Sequence, residues 1–457
     1  MKHFTIKNWN KGIAESDYLG VGDLRYSVGT DISIEGKIQA NQKLTKKSEA
    51  IVIDFPKYAF AGSDGKTYWF GDTGKIYREN SDTFTQVGDI GGEIFGACEY
   101  SGYLYWATAT TEYKVIISSV DFDADKTTVG AFTNDKTPHP HLVHLTDLYI
   151  GDGKDIVKST DVTSSVLDLA PDMIIQTLDS FGIDLMIGSK VANVNQCQMV
   201  RWNCNDTSWN FGDAISEDSI NAVVIENQTN EIVVSAGSQG NIYSFNGSAL
   251  RFARQIPGDY TPTAKSAVYS MANFGKNILI GVSNSTGNPC LQGVYRYWSL
   301  PDYKGLNLDY VISPNKTASI SVGAIVVQGQ DVWVAWKDDA TYGVDKLDYS
   351  NKYNGAYFTT ITYRPNRTDV KLLEEVKVAM EKLPASCSVD VEYKADGGSW
   401  SDIGAKTIDL DDTTLKTLFQ KAEHEKIEFK VTLTTSSNTT PAIEEMEVIV
   451  NLLNKVK

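Results

Sequence analysis

Three histidines lie close together in a segment that contains prolines. His139, His141 and His144 fall within six residues of the sequence, and imidazole nitrogens are common ligands of zinc. His139 and His141 would share one face of a strand, because side chains alternate along it. However, Pro138 and Pro140 interleave them, and no cysteine or carboxylate stands at ligand spacing. The sequence therefore favours a packing or loop role over a metal site.

A second candidate for cation binding is the run Asp121, Asp123 and Asp125, which matches the beginning of a calcium-binding loop. Such a loop needs a glycine at its sixth position and an acidic residue at its twelfth. The chain has Lys126 and Phe132 at those positions, so we interpret the run as a solvated turn. A second acidic group receives the same interpretation: Asp409, Asp411 and Asp412.

Signatures of catalysis are missing from the sequence. Asp64-Gly65 and Asp396-Gly397 have part of the Asp-box of sialidase-like propellers, but the glycine follows the aspartate directly, so only the turn chemistry is shared. We find no Ser-His-Asp order, phosphate-binding glycine loop or nucleotide fingerprint. We therefore predict that the protein is not an enzyme and has no catalytic residues, no cofactor and no metal.

Aromatic residues are the remaining candidates, because an aromatic ring can stack on a sugar. Trp202 and Trp209, together with Arg201, would form such a platform, or they are core and edge residues of a sheet. Both interpretations stay open at this stage. Trp400 follows a turn at 396–398 and is a candidate for interaction with a partner.

The element that must position these residues is a repeated apolar strand that ends at a small residue. Seven copies occur: Tyr68 to Gly71, Leu104 to Ala107, Leu148 to Gly151, Leu185 to Gly188, Ile232 to Ser235, Ile278 to Gly281 and Val332 to Ala335. The small residues are 36 to 54 positions apart. A β-propeller needs roughly 40 to 50 residues for each unit of about four strands, so the repeat predicts a propeller of about seven blades.

The repeat also predicts where each strand lies. Three apolar residues in succession, rather than strict alternation, are typical of a strand buried on both faces. We expect these strands between neighbouring blades, with the small residue where the blades crowd together. In the first copy, Asp72 and Gly74 supply a tight turn before a second strand at Ile76 and Tyr77. Because the copy ending at Ser235 lacks its glycine, six or eight blades remain open.

The amino-acid composition limits the fold classes and binding partners to be considered. The chain has 457 residues, 42% hydrophobic and 22% charged, as in ordinary globular proteins. Its 36 glycines and 23 tyrosines, with few helical patterns, favour an all-β fold. The net charge is −16, and an acidic surface repels nucleic-acid phosphate. No stretch approaches the ~20 apolar residues of a membrane span. We therefore expect neither nucleic-acid nor membrane binding.

The cysteines give little sign of disulfide bonding. They are odd in number and scattered: Cys98, Cys197, Cys204, Cys290 and Cys387. Cys197 and Cys204 could pair across a hairpin, but no disulfide framework or zinc spacing is present. The first residues lack the apolar core of a signal peptide. We expect reduced thiols in a protein made and folded in a cytosol.

The sequence predicts three regions. Residues 1–20 form an N-terminal arm, residues 21–352 the propeller, and residues 353–457 a small C-terminal β-sandwich. Strands are predicted in the last region at 357–363, 372–380, 388–393, 427–434 and 443–450. One short helix is predicted from Thr414 to Ala422, because Leu415, Leu418 and Phe419 would fall on one helical face.

The arm carries Phe4, Ile6 and Trp9 in a loose alternation. Such a segment would either give the last blade a strand, which removes an aggregation-prone edge, or reach a neighbouring subunit. We predict interaction roles for Phe4, Ile6 and Trp9 of the arm, and for Trp400.

Three stretches resemble tailed-bacteriophage virion proteins that contain propellers. Arg201-Trp202-Asn203 followed by Trp209 resembles their Arg-x-x-Trp-Ser segment with a later Trp. The stretch 29–38 is similar to their opening strand, with Glu35-Gly36 in place of a Pro-Gly turn. Residues 391–400 and 440–443 look like the β-sandwich that often ends these proteins.

The resemblance implies a non-enzymatic structural component of a phage particle, such as a tail nozzle, hub, adaptor or fibre. It would act as a rigid assembly and interaction module whose partners are other virion proteins and further copies of itself. Its location would be the virion, assembled in the cytoplasm of a bacterial host. The alternatives are a module that binds a host-surface glycan through exposed aromatics, and a propeller glycan hydrolase whose carboxylates are brought together by the fold.

Overall fold

The computed structural model describes residues 2–7, 9–14, 24–48, 52–134, 137–226, 231–256, 270–283, 292–300, 303–314, 320–364, 370–408 and 415–452. These residues are almost entirely β-structure, with one α-helix (α1, Phe122–Asp125) and one 3-10 helix (Trp9–Lys11). The all-β prediction is confirmed. The chain divides into unit 1, with residues 1–45, 293–313 and 347–457, and unit 2, with residues 46–292 and 314–346.

The strands are numbered in chain order. The first five are β1 Lys2–Ile6, β2 Leu24–Val28, β3 Thr30–Asp31, β4 Ile38–Ala40 and β5 Gln42–Lys46.

Five four-stranded antiparallel sheets follow, each made of four consecutive strands. Sheet I contains β6 Pro56–Ala61, β7 Thr67–Gly71, β8 Lys75–Asn80 and β9 Thr83–Asp89. Sheet II contains β10 Gly96–Tyr100, β11 Tyr103–Ala107, β12 Thr111–Ile116 and β13 Thr127–Ala131. Sheet III contains β14 His141–His144, β15 Asp147–Asp152, β16 Asp155–Lys158 and β17 Asp161–Asp168. Sheet IV contains β18 Met173–Phe181, β19 Asp184–Val191, β20 Cys197–Trp202 and β21 Phe211–Ile215, and sheet V contains β22 Ile220–Ile225, β23 Ile232–Ala236, β24 Asn241–Phe245 and β25 Leu250–Gln255.

The remaining strands include a sixth four-stranded sheet. A hairpin of β26 Met271–Phe274 and β27 Asn277–Val282 comes first, followed by β28 Gly293–Leu300 and β29 Tyr303–Tyr310. Sheet VI consists of β30 Ile320–Gln328, β31 Asp331–Asp338, β32 Thr341–Lys352 and, at its edge, β5. The last strands are β33 Ala356–Thr360, β34 Lys371–Met380, β35 Ser388–Ala395, β36 Ser401–Ile408, β37 Leu415–His424, β38 Ile427–Thr434 and β39 Ala442–Leu452.

The first strands of the sheets in unit 2 form a closed circle. Each contacts the next in the order β6, β10, β14, β18, β22, β26 and β30, and β30 contacts β6 again. The hydrophobic cores lie between neighbouring sheets; one of them joins Tyr68 and Phe70 of sheet I to Leu104 and Trp106 of sheet II. The circle closes with help from the chain before sheet I, because the Lys47 N–H donates to the Val344 carbonyl at 2.9 Å.

The predicted repeat coincides with the second strand of each sheet. All seven small residues lie in β7, β11, β15, β19, β23, β27 and β31, and Trp69 in the first copy is fully buried. A Cβ on Gly188 would lie 2.5 Å from Cγ2 of Ile220, and one on Gly151 would lie 2.8 Å from Cγ2 of Ile175. Ile220 and Ile175 belong to the first strand of the following sheet, so Gly188 and Gly151 lie where neighbouring sheets crowd together. At Gly71, by contrast, a Cβ would meet the Asp54 side chain.

Unit 1 contains two sheets around one hydrophobic core. One sheet has the order β28-β29-β2-β33-β38-β35-β36, and the other has β3-β4-β39-β34-β37 with β1 beside β39. The predicted C-terminal strands lie within β33, β34, β35, β38 and β39, although the first of them, predicted to reach residue 363, ends at Thr360. The N-terminal residues 2–11 belong to this unit: Ile6 and Trp9 are buried in its core, and Trp9 Nε1 donates to the Glu444 carbonyl at 3.1 Å.

The predicted helix at 414–422 is wrong, because residues 415–422 lie in strand β37; residue 414 lies outside the described residues. The backbone of β37 pairs with β34, with Leu418 opposite Val376. Leu418 points into the core, whereas Phe419 is 68% exposed, as expected when adjacent side chains point to opposite faces of a sheet. A partner strand therefore overrode the weak helical pattern.

Candidate functional site

The first and second strands of each sheet in unit 2 join at one face of the circle, which we call the hairpin face. Several of these joints are two-residue turns, because the residues on either side of them pair directly. The five turns of this kind are Ser101-Gly102, Leu145-Thr146, Gly182-Ile183, Gly275-Lys276 and Gly329-Gln330.

Polar groups at the hairpin face bind the neighbouring sheet. Bonds between described residues link consecutive sheets or hairpins there, and six of them are Ser63 N–H to Glu99 Oε2 (2.7 Å), Tyr100 Oη to the Thr146 carbonyl (2.7 Å), His144 Nε2 to the Ile183 carbonyl (3.1 Å), Ile225 N–H to Asp179 Oδ2 (3.1 Å), Asn273 Nδ2 to the Ile225 carbonyl (2.8 Å) and Gln328 Nε2 to the Gly65 carbonyl (2.9 Å). These six bonds, called the latches below, hold the sheets together around the face. These bonds could not be predicted from sequence, because the residue types that form them differ from one sheet to the next.

The histidines separate into two places. His144 provides a latch at the hairpin face, whereas His139 and His141 are buried between sheets II and III. Both ring nitrogens of His139 lie near carbonyl oxygens, Nδ1 2.9 Å from Gly151 O and Nε2 3.1 Å from Ala109 O. Nε2 of His141 lies 2.9 Å from Oε1 of the buried Glu112. These contacts agree with the predicted packing role.

A buried carboxylate accompanies His139. Nδ1 of His139 lies 3.9 Å from Oδ1 of Asp152, and Oδ2 of Asp152 accepts the N–H groups of Thr133 and Asn134. Burial lowers the pKa of His139 and raises the pKa of Asp152, because it disfavours both charged forms,. The carbonyls around the imidazole and the amides around the carboxylate oppose these shifts. The group acts as a polar link between two sheets.

The strongest candidate for acid–base chemistry in unit 2 is a pair of carboxylates that the sequence analysis missed. Burial, followed by a hydrogen bond with Asp54, raises the pKa of Asp72 to about 6. Burial opposes the ionisation of Asp54, but its hydrogen bonds with Asp72 and Thr73 outweigh burial and lower its pKa. Such divergent pairs occur at catalytic sites. Here, however, Asp54 Oδ2 accepts the Thr73 N–H at 2.9 Å and its hydroxyl at 2.8 Å, so the pair shapes the β7–β8 turn.

The acidic run at 121–125 is used locally. Oδ1 of Asp121 caps helix α1 by accepting the N–H groups of Asp123 and Ala124, each at 3.1 Å,. Oδ2 of Asp125 accepts the Ser119 hydroxyl at 2.7 Å. These carboxylates are therefore committed to a turn.

The two tryptophans of sheet IV have different environments. Trp202 is buried, and its Nε1 donates to the Asp206 carbonyl at 2.8 Å. Trp209 is 39% exposed in the loop that follows β20. Nη2 of Arg201 lies 2.5 Å from Oδ2 of Asp184. Trp209 is thus the part of the proposed aromatic platform that a ligand could reach.

The four residues predicted to interact with partners all make contacts in unit 1. Ile6 and Trp9 are in the core, so packing within this chain accounts for both. Phe4 is partly buried and stacks on Tyr363 with ring centroids 4.2 Å apart. Trp400 is partly exposed, and the Lys394 Nζ lies 5.0 Å from its ring centroid.

The described residues contain no group of three or more His, Cys, Asp or Glu side chains arranged to hold a metal ion. Cys98, Cys197, Cys204 and Cys387 are free thiols. Cys290 and the acidic group at 409–412 lie outside the described residues. In the part of the chain that the structure describes, no helix is long and apolar enough to span a membrane.

Comparison with known proteins gives a likeness of fold. No protein family matches the sequence, and no curated protein does so. The extracellular domain of BT4673 from B. thetaiotaomicron is 11% identical with a TM-score of 0.49; the match covers 75% of this chain, which spans only 43% of that domain. The β-propeller domain of Cps50 (Swd1) from Myceliophteria thermophila is 10% identical with a TM-score of 0.47, covering 64% of this chain and 96% of that one. The computationally designed Ika8 protein is 11% identical with a TM-score of 0.40, covering 70% and 97%.

Proposed function

We propose that unit 2 is a seven-bladed β-propeller and unit 1 a β-sandwich. The closed circle of seven first strands and the seven small residues in the second strands support the blade count. Sheets I to VI are six of these blades, and the hairpin β26–β27 begins the seventh. The two sheets that share one core in unit 1 support the sandwich.

We propose that this fold serves as a non-enzymatic structural component of a tailed-phage particle, such as a tail nozzle, hub, adaptor or fibre. The observation that carries the proposal is the set of latches. Polar side chains that could perform chemistry, including His144, instead lock one sheet to the next. A closed and locked disc has few free strand edges, and this stiffness suits an assembly part. The phage assignment itself is supported by the sequence resemblance at 29–38, 201–209 and 391–400.

The partners proposed for such a part are other virion proteins and further copies of the chain, and the proposed location is a virion assembled in a bacterial cytoplasm. Immuno-electron microscopy tests this. Antibodies against the purified protein should label one position on tailed particles from cells that produce the chain during phage growth. Unlabelled intact particles, in cells where the protein is abundant, would contradict the proposal.

Oligomeric state should be measured on the full chain. Deleting residues 1–20 would remove strand β1 and the core residues Ile6 and Trp9, so loss of an oligomer could simply reflect unfolding of unit 1. Light scattering of the full protein over a range of concentrations avoids this ambiguity. A defined oligomer supports the assembly role.

A host-glycan-binding role is the second candidate, and Trp209 is the observation that favours it. Its ring is partly exposed in the loop that follows β20. Sugar-binding sites often combine an aromatic ring with fixed polar groups, and sheet IV also carries the Arg201–Asp184 ion pair. Glycan-array binding that is lost in Trp209→Ala, but retained in Trp400→Ala, would support this role. No binding by the wild type would count against it.

A further inference from the structure

Two neighbouring turns of the hairpin face carry exposed apolar side chains. Leu145 in sheet III is 65% exposed, and Ile183 in sheet IV is 69% exposed. The corresponding turns of the circle carry only Ser101, Lys276 or Gln330 besides glycine. The fold therefore does not require an apolar residue at this position. Leu145 also has a φ angle of 54°, a left-handed conformation that costs energy for a bulky residue.

The two turns lie close together because a latch joins them. His144, next to Leu145, binds the carbonyl of Ile183. The Tyr100 latch attaches sheet II to the same place through the carbonyl of Thr146. In sheet II, Tyr103 and Ile116 are directly opposite each other and are 38% and 48% exposed. Leu145, Ile183, Tyr103 and Ile116 together form what we call the apolar strip.

The rim of the strip is acidic in sheets III and IV, whereas in sheet II the Nζ of Lys114 lies 5.1 Å from the ring centroid of Tyr103. The hairpin-face segments of sheets III and IV, residues 144–147, 158–161, 181–184 and 201–211, contain four carboxylates and two cationic side chains. Both cations are already paired: Lys158 Nζ lies 2.8 Å from Asp147 Oδ2, and Arg201 Nη2 lies 2.5 Å from Asp184 Oδ2.

The other two carboxylates have neutral partners among the described residues. Asp161 accepts hydrogen bonds from Thr163 and Ser164, and Asp206 accepts them from Asn203 and Asn210. Negative charge on the rim is therefore left for an external cation.

We propose that the apolar strip is the docking surface for a partner protein whose contact segment presents apolar side chains flanked by lysine or arginine. This deepens the proposed assembly function by naming its contact surface and the chemistry of its partner. An apolar strip across three sheets is the kind of exposed patch that marks an interaction site. The acidic rim favours a partner with positive charges at the matching positions. A second copy of this chain fits poorly, because it would bring the same acidic rim and a net charge of −16.

The test compares two variants of the full chain. Leu145→Asn with Ile183→Ser removes the apolar side chains but keeps the latch, since asparagine tolerates the left-handed turn and the Ile183 carbonyl belongs to the backbone. The matched control is Val194→Ser, which removes an apolar side chain that is 53% exposed in the β19–β20 turn, at the other end of sheet IV. Urea unfolding checks that each variant is folded. If the double variant unfolds, Ile183→Ser alone replaces it.

The probes are two amphipathic helical peptides of equal length, one of leucine and lysine and one of leucine and glutamate. By calorimetry, the lysine peptide should bind the wild type and Val194→Ser equally, and the strip variant about tenfold more weakly or worse. Added salt should weaken binding, and the glutamate peptide should bind least. Equal affinity for the strip variant, or tighter binding of the glutamate peptide, would overturn the proposal.

Sedimentation of the wild type tests the other possible occupant of the strip, which is a second copy of this chain. A dimer that dissociates in the strip variant would identify a second copy, and this too would overturn the proposal. Failure here is distinguishable from failure of the proposed function. If antibodies label phage particles but the peptide binds the strip variant as well as the wild type, the assembly role stands and this docking surface is wrong. If binding depends on the strip but no particles are labelled, the docking surface stands and the phage assembly role is wrong.

Discussion

The imidazole of His144 reaches from sheet III to sheet IV, where its Nε2 lies 3.1 Å from the carbonyl oxygen of Ile183. A carbonyl oxygen only accepts hydrogen bonds, so this nitrogen carries the proton. The side chain is 2% exposed, so water has little access to replace it. One buried histidine thus joins two sheets.

Replacing His144 should weaken unit 2. His144→Ala leaves the Ile183 carbonyl without this donor and opens a cavity, and we expect it to lower the free energy of unfolding by about 2 kcal/mol. Tyr100→Phe removes a more exposed latch donor and should cost about 1 kcal/mol or less. Urea denaturation measures both. Equal, negligible effects would mean that the latches do not stabilise the circle.

Metal ions should have no effect on stability, because the ring nitrogens of His139 face carbonyl oxygens, and those of His141 face a carbonyl and a carboxylate. The unfolding temperature should be the same with added Zn²⁺ and with EDTA. A rise with Zn²⁺ that disappears in His141→Gln would revive the metal-site interpretation.

The small residues at the sheet contacts should resist enlargement. In Gly188→Ala the new methyl group would lie 2.5 Å from Cγ2 of Ile220 and 2.6 Å from Cγ2 of Thr177, and such overpacking costs about 1 to 3 kcal/mol. Gly92→Ala is the control, because a Cβ there meets nothing within 4 Å. We expect a change of about 0.5 kcal/mol or less for Gly92→Ala. Thermal unfolding of the two variants gives the comparison.

Asp179 should make stability depend on pH. Burial raises its pKa to about 6, above the value of about 3.9 in an unfolded chain. Between these values the folded state holds a proton that the unfolded state has released, so stability falls as the pH rises from about 4 to about 6. Asp179→Asn keeps an acceptor for the Ile225 N–H and removes the charge.

Asp179→Asn should therefore be more stable than the wild type at pH 7, by about 2 kcal/mol, and similar to it at pH 4. Urea midpoints at the two pH values measure the difference. A variant that is less stable at pH 7 would mean that the charged carboxylate is favoured at this position.

The ion pairs of Lys346 should contribute modestly to stability: the pair with Asp82 links sheet VI to sheet I, and the pair with Asp331 lies within sheet VI. Nζ of Lys346 lies 2.8 Å from Asp82 Oδ1 and 2.9 Å from Asp331 Oδ2. Lys346→Met keeps the aliphatic stem near the Trp333 ring and removes the charge. We expect a loss of about 1 kcal/mol that shrinks in high salt. A loss that salt does not change would point to packing rather than charge.

Much of the fold could be predicted from sequence, because a strand buried between two sheets requires a short, recognisable pattern of residue types. A strand covered on both faces needs a run such as Tyr68-Trp69-Phe70, and the approach of the next sheet demands a small residue such as Gly188. The helix predicted at 414–422 is wrong because a short apolar run such as Leu415, Leu418 and Phe419 fits both the helical and the strand period. Pairing with β34 selects the strand. The N-terminal residues were predicted to pair with the last blade or with a neighbouring subunit, because nothing local in the sequence shows that Trp9 meets Glu444.

The candidate site was less accessible to sequence reasoning. The latches and the apolar strip join positions such as Tyr100 and Thr146, or Leu145 and Ile183, whose proximity depends on the order of sheets around the circle. The Asp54–Asp72 pair is similarly split between the two ends of a hairpin. The one available signal was that Leu145 and Ile183 occupy turns where other copies of the repeat carry polar residues.

Closure of the circle has a kinetic consequence for the nascent chain. The bond from Gln328 to Gly65 joins residues 263 positions apart, and strands β6 and β30 meet only once both have emerged from the ribosome. At roughly 5 to 20 residues per second, on the order of 10 to 50 s pass before β30 can pack against sheet I, and until then one side of sheet I is exposed. During translation this exposed side of sheet I can therefore be bound by a chaperone, or by another unfinished copy of the chain, before sheet VI has been synthesised.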